Sequence, residues 1–264
     1  MTEVDSTVRE QRASNAPEGI VHTGSISSDV ELDYNTGRAH KVYHPSRAVR
    51  LMYWFTFQAP FPYVANHAAL EAARQRRTIV DVLTKYWFGH HLVAKVIDVL
   101  DAENGAHDFV TQLVRGQEPP HQKRTLDFMR QLDRRFLESG LPTWQVTPYN
   151  PHAITNFILT PDGSYRIIDL ESSLVAFLYP LTKLPRLMQR GLFPSFDDID
   201  TVQLRRYLAK NAADLSDKLG AEYPLLLEAV GAYEKAADTW HRSERRLFNR
   251  FFQALTRWLP KGGK

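Results

Sequence analysis

Between residues 149 and 171 the chain runs YNPHAITNFILTPDGSYRIIDLE, two short apolar stretches on either side of Pro161-Asp162-Gly163. Proline presets the backbone at the first corner of a turn and glycine accepts the left-handed conformation beyond it, so this stretch is expected to fold back as a β-hairpin. The runs Phe157-Ile158-Leu159 and Ile167-Ile168 place apolar side chains on both faces, so other elements must cover both sides. Asn156 just before the first strand and Asp169 just after the second would then meet at the open end. An amide oxygen and a carboxylate so placed can converge on one cation. The same residues also serve ordinary hairpins, Asn as a turn cap and Asp as a solvated strand end.

With 264 residues there is room for one large domain or two small lobes sharing a cleft. No stretch approaches the roughly 20 apolar residues that span a bilayer. The opening MTEVDSTVREQRASNAPEG is polar and acidic rather than basic then apolar, so residues 1–18 are expected to form a mobile tail, and the expected compartment is cytoplasmic. The absence of cysteine excludes disulfides, thiolate metal sites and a cysteine nucleophile. A formal charge of +3 is too small to point to nucleic acid on its own.

Three strands are expected from Gly19 to Pro45, in GIVHTGSIS, DVELDY and RAHKVYH, with a turn at Asn35-Thr36-Gly37 between the second and third. The aromatic stretch MYWFTFQAPFPYV, with Pro60 and Pro62, is expected to be irregular. Asn66 would cap a helix in which Leu70, Ala73, Ile79, Val80 and Leu83 share one face while Arg74, Arg76 and Arg77 point elsewhere. Two further strands would turn at Asn104-Gly105 and run to Val114, and RGQEPP would form a hinge. Beyond it come a helix ending at Gly140, the hairpin, and helical patterns from Asp197 onward. The fold class is thus α+β, with residues 19–115 rich in strands and 116–264 mainly helical.

That order, three strands with Lys41 on the third, a helix with Glu71, two strands, a hinge, a helix and a hairpin, resembles the protein-kinase-like superfamily. The likeness is to its branches of aminoglycoside and choline phosphotransferases, lipopolysaccharide kinases and ABC1-type proteins. The spacing of Asn156 and Asp169 is similar to that of the family's two metal ligands, and Ile167-Ile168-Asp169-Leu170-Glu171 looks like the variant usual in the aminoglycoside branch. The resemblance implies a two-lobed fold binding ATP and Mg²⁺, with Asn156 and Asp169 on the metal. Lys41, the only lysine before Lys85, would grip phosphate, and Glu71, the only glutamate of its helix, would orient it. Gly24 and Ser25 fall where the family has its phosphate-covering loop, without its full set of glycines, and the strand end from Leu113 to Arg115 would offer backbone groups to an adenine edge.

One departure is sharp. Pro151 stands where the family has its catalytic Asp, and Tyr149 where it has a His. Proline accepts no proton, so His152 is the neighbouring candidate base, with packing or capping as its ordinary alternative. Two activities follow: phosphotransfer to a small molecule, lipid or saccharide, or a pseudokinase acting as a nucleotide-binding module. Trp240, Leu247, Phe248, Phe251, Phe252, Leu255, Trp258 and Leu259 share one face of a terminal helix whose other face is rich in arginine. Residues 240–264 would cover the helical half or lie on an anionic membrane, which would make the protein peripheral on the inner membrane face. No nucleic-acid partner is expected.

Overall fold

The computed structural model describes residues 19–24, 28–43, 67–101, 107–170 and 199–244, together with position 254. The tail, Ser25, the aromatic stretch 52–64, Asn66, the turn at Asn104-Gly105, the residues after Leu170 up to 198, and nearly all of 245–264 lie outside the described residues. A mixed α+β architecture results. Strands β1 (Ile20–Gly24), β2 (Ser28–Asp33), β3 (Arg38–Tyr43), β4 (Val96–Asp101) and β5 (His107–Gln112) form one antiparallel sheet in the order β1-β2-β3-β5-β4. The β2 to β3 turn closes because the Asp33 carboxylate accepts the Asn35 and Thr36 amides, at 2.9 and 3.2 Å, and Gly37 takes a φ of 67°.

Registers in this sheet align side chains in rows. Val30 lies opposite Lys41 and Lys41 opposite Phe109, while Leu32 pairs with Ala39 and Ala39 with Thr111. Side chains alternate across a strand, so these six share one face. Helix α1 (His67–Phe88) lies against that face at its N-terminal end, where Leu70 and Ala73 bury against Tyr43 and Phe109. Its C-terminal half, from Ile79 to Leu83, belongs to a second, larger apolar cluster with Leu92, Val93, Met129, Phe136, Leu226 and Val230. One helix therefore sits in both cores and ties the sheet to the helical part.

That part comprises α2 (Lys123–Ser139), α3 (Thr201–Lys210), α4 (Ala212–Leu219) and α5 (Glu222–Glu244), with α5 packed along α1. Gly140 ends α2 at a φ of 84°, and its amide returns to the Phe136 carbonyl. The helical pattern from Asp197 is broken at Asn211, which separates α3 from α4. Trp240 is buried in α5 at 2% exposure, so the one described aromatic of the expected terminal face covers the helical part. Among the described residues no helix is long and apolar enough to cross a membrane.

The hairpin forms as expected, β6 (Phe157–Leu159) pairing antiparallel with β7 (Tyr165–Ile167) after a 3-10 turn at Ala153–Asn156. Both of its edges are held. Gln117 exchanges backbone hydrogen bonds with Leu159 at 3.1 and 2.8 Å on one side. On the other, Ile167 donates to the Leu92 carbonyl at 2.7 Å and accepts from Ala94 at 2.9 Å. The expected hinge is thus a segment paired to the hairpin.

Candidate functional site

Between the sheet face described above and the hairpin lies a cavity of about 680 Å³. Val30, Leu32, Ala39 and Phe109 form its roof, residues 113–116 one edge, and Ile158, Ile168 and Asp169 its floor. Lys41 reaches across from the roof, and its Nζ stands 3.2 Å from Asp169 Oδ2 with 19% and 32% of the two side chains exposed. A cation and a carboxylate meet on the wall of a largely apolar slot. Partial burial strengthens their attraction over that of a surface pair, while enough water remains for exchange with an incoming ligand.

Asp169 is set in place by three independent supports. The first is backbone: Ile168 donates to the Asn156 carbonyl at 2.9 Å, which closes the open end of the hairpin and sets Asn156 opposite the residue before Asp169. The second is Arg77, whose Nη2 donates to the Ile168 carbonyl at 2.8 Å while its guanidinium lies 5.4 Å from the Phe109 ring centre. The third comes through Asp81 of α1, whose Oδ1 accepts from the Val93 amide at 3.0 Å in the strand segment beside β7. Burial raises the Asp81 carboxyl above its ordinary range, and the nearby His91, 2.8 Å from Oδ2, pulls it back. At the other end of the hairpin the Thr160 hydroxyl, then Ser164, hold the exposed Asp162 carboxyl down to about 2.

Asn156 has a defined orientation. Its Nδ2 donates to the Gln145 carbonyl at 2.9 Å and to Gln145 Oε1 at 2.7 Å. Both partners accept, so the NH₂ must face Gln145 and the amide oxygen is the atom left on offer. No hydrogen bond to Oδ1 occurs among the described residues. Also among the described residues, no three His, Asp or Glu side chains converge as a metal cluster. An amide oxygen and a carboxylate are donor types that a hard cation takes, and of the two residues Asp169 lines the cavity while Asn156 does not.

Other expected residues fall in varied places. Glu71 does not orient Lys41 here: it accepts from Gln75 at 2.6 Å and pairs with Arg74 at 3.4 Å, both on its own helix. Gly24 ends β1 opposite Asp29, and Ser25 lies outside the described residues. The Leu113 amide is engaged by the Gly37 carbonyl at 2.9 Å, which leaves the Val114 and Arg115 backbone at the cavity edge. The Arg115 side chain turns outward to the Tyr34 carbonyl, at 2.9 Å, and its ring. His152 is exposed, and its amide donates to Asn150 Oδ1 at 3.0 Å. Asn150, 5% exposed, also donates to the Trp144 carbonyl at 2.9 Å and so braces the loop.

No family model matches the chain, and no curated protein matches it. The geometry therefore carries the reading of the site.

Arg77 and Gln145 are the site residues that sequence reasoning passes over. Arg76 and Arg77 are 2% and 4% exposed, a correction to the expectation that they point away from the core. The pattern held a hint: the apolar stripe through Leu70, Ala73 and Val80 skips one turn, which these arginines fill. Gln145 had no comparable signal, because its partner lies across a loop.

Proposed function

We propose that this protein binds ATP with Mg²⁺ in the cavity between sheet and hairpin, as a two-lobed kinase-like domain, and transfers phosphate to a small molecule, lipid or saccharide. The observation that carries the reading is the 3.2 Å approach of Lys41 and Asp169 on the wall of a largely apolar slot. A planar base fits between Val30, Ala39 and Leu113, with unengaged backbone groups at Val114 and Arg115 along its edge. Lys41 would hold phosphate, and Asn156 Oδ1 with Asp169 would hold the metal. The bound metal would neutralise charge on the phosphate oxygens. The chain's own part is positioning, through Arg77 and Asn156, and exclusion of water by the apolar roof. The order of elements, from β3 through α1 and the hairpin, agrees with the same reading; the choice of acceptor rests on family likeness alone.

Thermal stabilisation tests it. ATP with Mg²⁺ at a hundred times its Kd should add about 2.7 kcal/mol to the unfolding free energy, and either alone should add much less. Lys41→Met and Asp169→Ala should each remove the shift. No shift with any combination at millimolar concentration overturns the reading.

A second reading, the pseudokinase, is favoured by one feature. The loop Tyr149-Asn150-Pro151-His152 has no carboxylate, Asn150 is committed to backbone bonds, and His152 is exposed on the loop. Binding without detectable phosphoryl transfer to any acceptor, itself included, would select it.

A further inference from the structure

Behind the first cavity, across α1, lies a second of about 820 Å³. Arg74, Arg77, Lys95 and Arg166 line it, with the amides of Gln75 and Gln112, and Arg77 belongs to both cavities. These cations come from three separate elements: α1, the segment before β4, and β7. Arg166 donates to the His91 backbone carbonyl and lies close enough to Asp81 to favour its charged form, and Arg74 is paired with Glu71 at 3.4 Å. Lys95 is exposed, and its Nζ has no partner among the described residues.

Acidic side chains are present too, but two of the three are engaged. Asp81 pairs with His91, and Glu222 accepts from Lys85 at 2.6 Å. Glu228 is the third, on α5 beside Leu225 and Ala229, which give that wall an apolar stretch. Four cations thus face three carboxylates, an excess of one positive charge that lies on the α1 and β7 side, across from an α5 wall carrying Leu225 and Ala229 beside Glu222 and Glu228. Guanidinium forks match phosphate oxygens in pairs, and two such groups with one ammonium on a single wall make a receptor for a compact anion of high charge.

We infer that this second cavity is a binding site for a small phosphate-bearing organic molecule, its phosphate held by Arg166 and Lys95 with Arg74 or Arg77, and its carbon part against Leu225 and Ala229. The site does not depend on what the first cavity binds. Because Arg77 also holds the Ile168 carbonyl, occupancy behind α1 would be felt next to Asp169.

Inorganic pyrophosphate, without divalent metal, is the probe, titrated calorimetrically into the full chain. Saturable binding is expected, and Lys95→Gln with Arg166→Gln should weaken it by about tenfold or more, since two charge-assisted bonds are removed. Lys95→Glu, at an exposed position that leaves folding intact, should weaken it severalfold on its own. Lys41→Met should leave the affinity within about twofold, because it alters only the first cavity. The inference is overturned by absence of saturable binding, by unchanged affinity in Lys95→Glu, or by loss of binding in Lys41→Met. The last result would place the anion in the first cavity and leave the nucleotide reading standing.

Discussion

Arg77 of α1 donates from Nη2 to the carbonyl of Ile168 at 2.8 Å, and so fixes the backbone immediately before Asp169. The helix that packs under the sheet thus reaches the hairpin through a buried guanidinium, whereas Glu71, nearer the start of the same helix, bonds only within it. Arg77→Met keeps the aliphatic stem over Phe109 but leaves the Ile168 carbonyl without this donor. It should destabilise the fold by about 1–3 kcal/mol in chemical denaturation and reduce the thermal shift given by Mg-ATP.

Lys41 and Asp169 should be energetically coupled. Both side chains are partly exposed, so the coupling expected from a double-mutant cycle of Lys41→Met and Asp169→Asn is about 1 kcal/mol, more than a surface pair gives and less than a fully buried one. A value near zero in urea denaturation would mean that the pair does not persist in solution.

Gly116 is needed for close approach rather than for an unusual backbone angle. A Cβ there would lie under 3.0 Å from Ile158 Cγ2 and from the Leu159 carbonyl oxygen, and the latter cannot move without disturbing β6. Gly116→Ala should destabilise by about 1–3 kcal/mol, with Gly163→Ala, which meets no neighbour but strains a positive φ, as the contrasting variant. Nucleotide affinity should fall only in the first, since only that change displaces the cavity edge.

Two aspartates should give opposite responses to pH. The folded state holds Asp162 down to about 2 from the ordinary 3.8, so its contribution is complete above pH 3.8 and is lost as pH falls towards 2. Asp81 is raised by burial, so stability tied to it is present below 3.8 and declines as pH rises through the raised value. Thermal melts of Asp162→Asn and Asp81→Asn across the acid range should lose these two slopes separately. Melts that keep both slopes would show that other groups govern acid stability.

Much of the local structure was legible in the residues. The Pro-Asp-Gly turn predicts the hairpin, Asn35-Thr36-Gly37 predicts the β2 to β3 turn, and Gly140 ends α2 at the expected residue. Residue type and order, which are local properties, point to Lys41 and Asp169 individually, whereas their contact is not local. Glu71 bonds within its own helix instead of reaching Lys41. A helix position says which face a side chain occupies, and nothing about how far the helix is displaced from the strand before it.

Arg76 and Arg77 make the same point from the opposite side. Charge alone argues for solvent, yet the turn they occupy lies between two apolar clusters, and burial follows once α1 is shared by both. A buried guanidinium is tolerated only where acceptors surround it, and the Ile168 carbonyl that serves Arg77 is distant in sequence.

By itself the sequence determined the short-range features: where strands turn, where helices stop, and which polar residues stand at the ends of a buried hairpin. Only the tertiary structure decided which of those groups meet, that Lys41 faces Asp169, that Gln145 turns the Asn156 amide, and that Arg77 divides two cavities. The reason is range. Backbone preferences and side-chain periodicity act over a few residues, whereas each of these contacts joins segments whose separation is set by the packing of the whole chain.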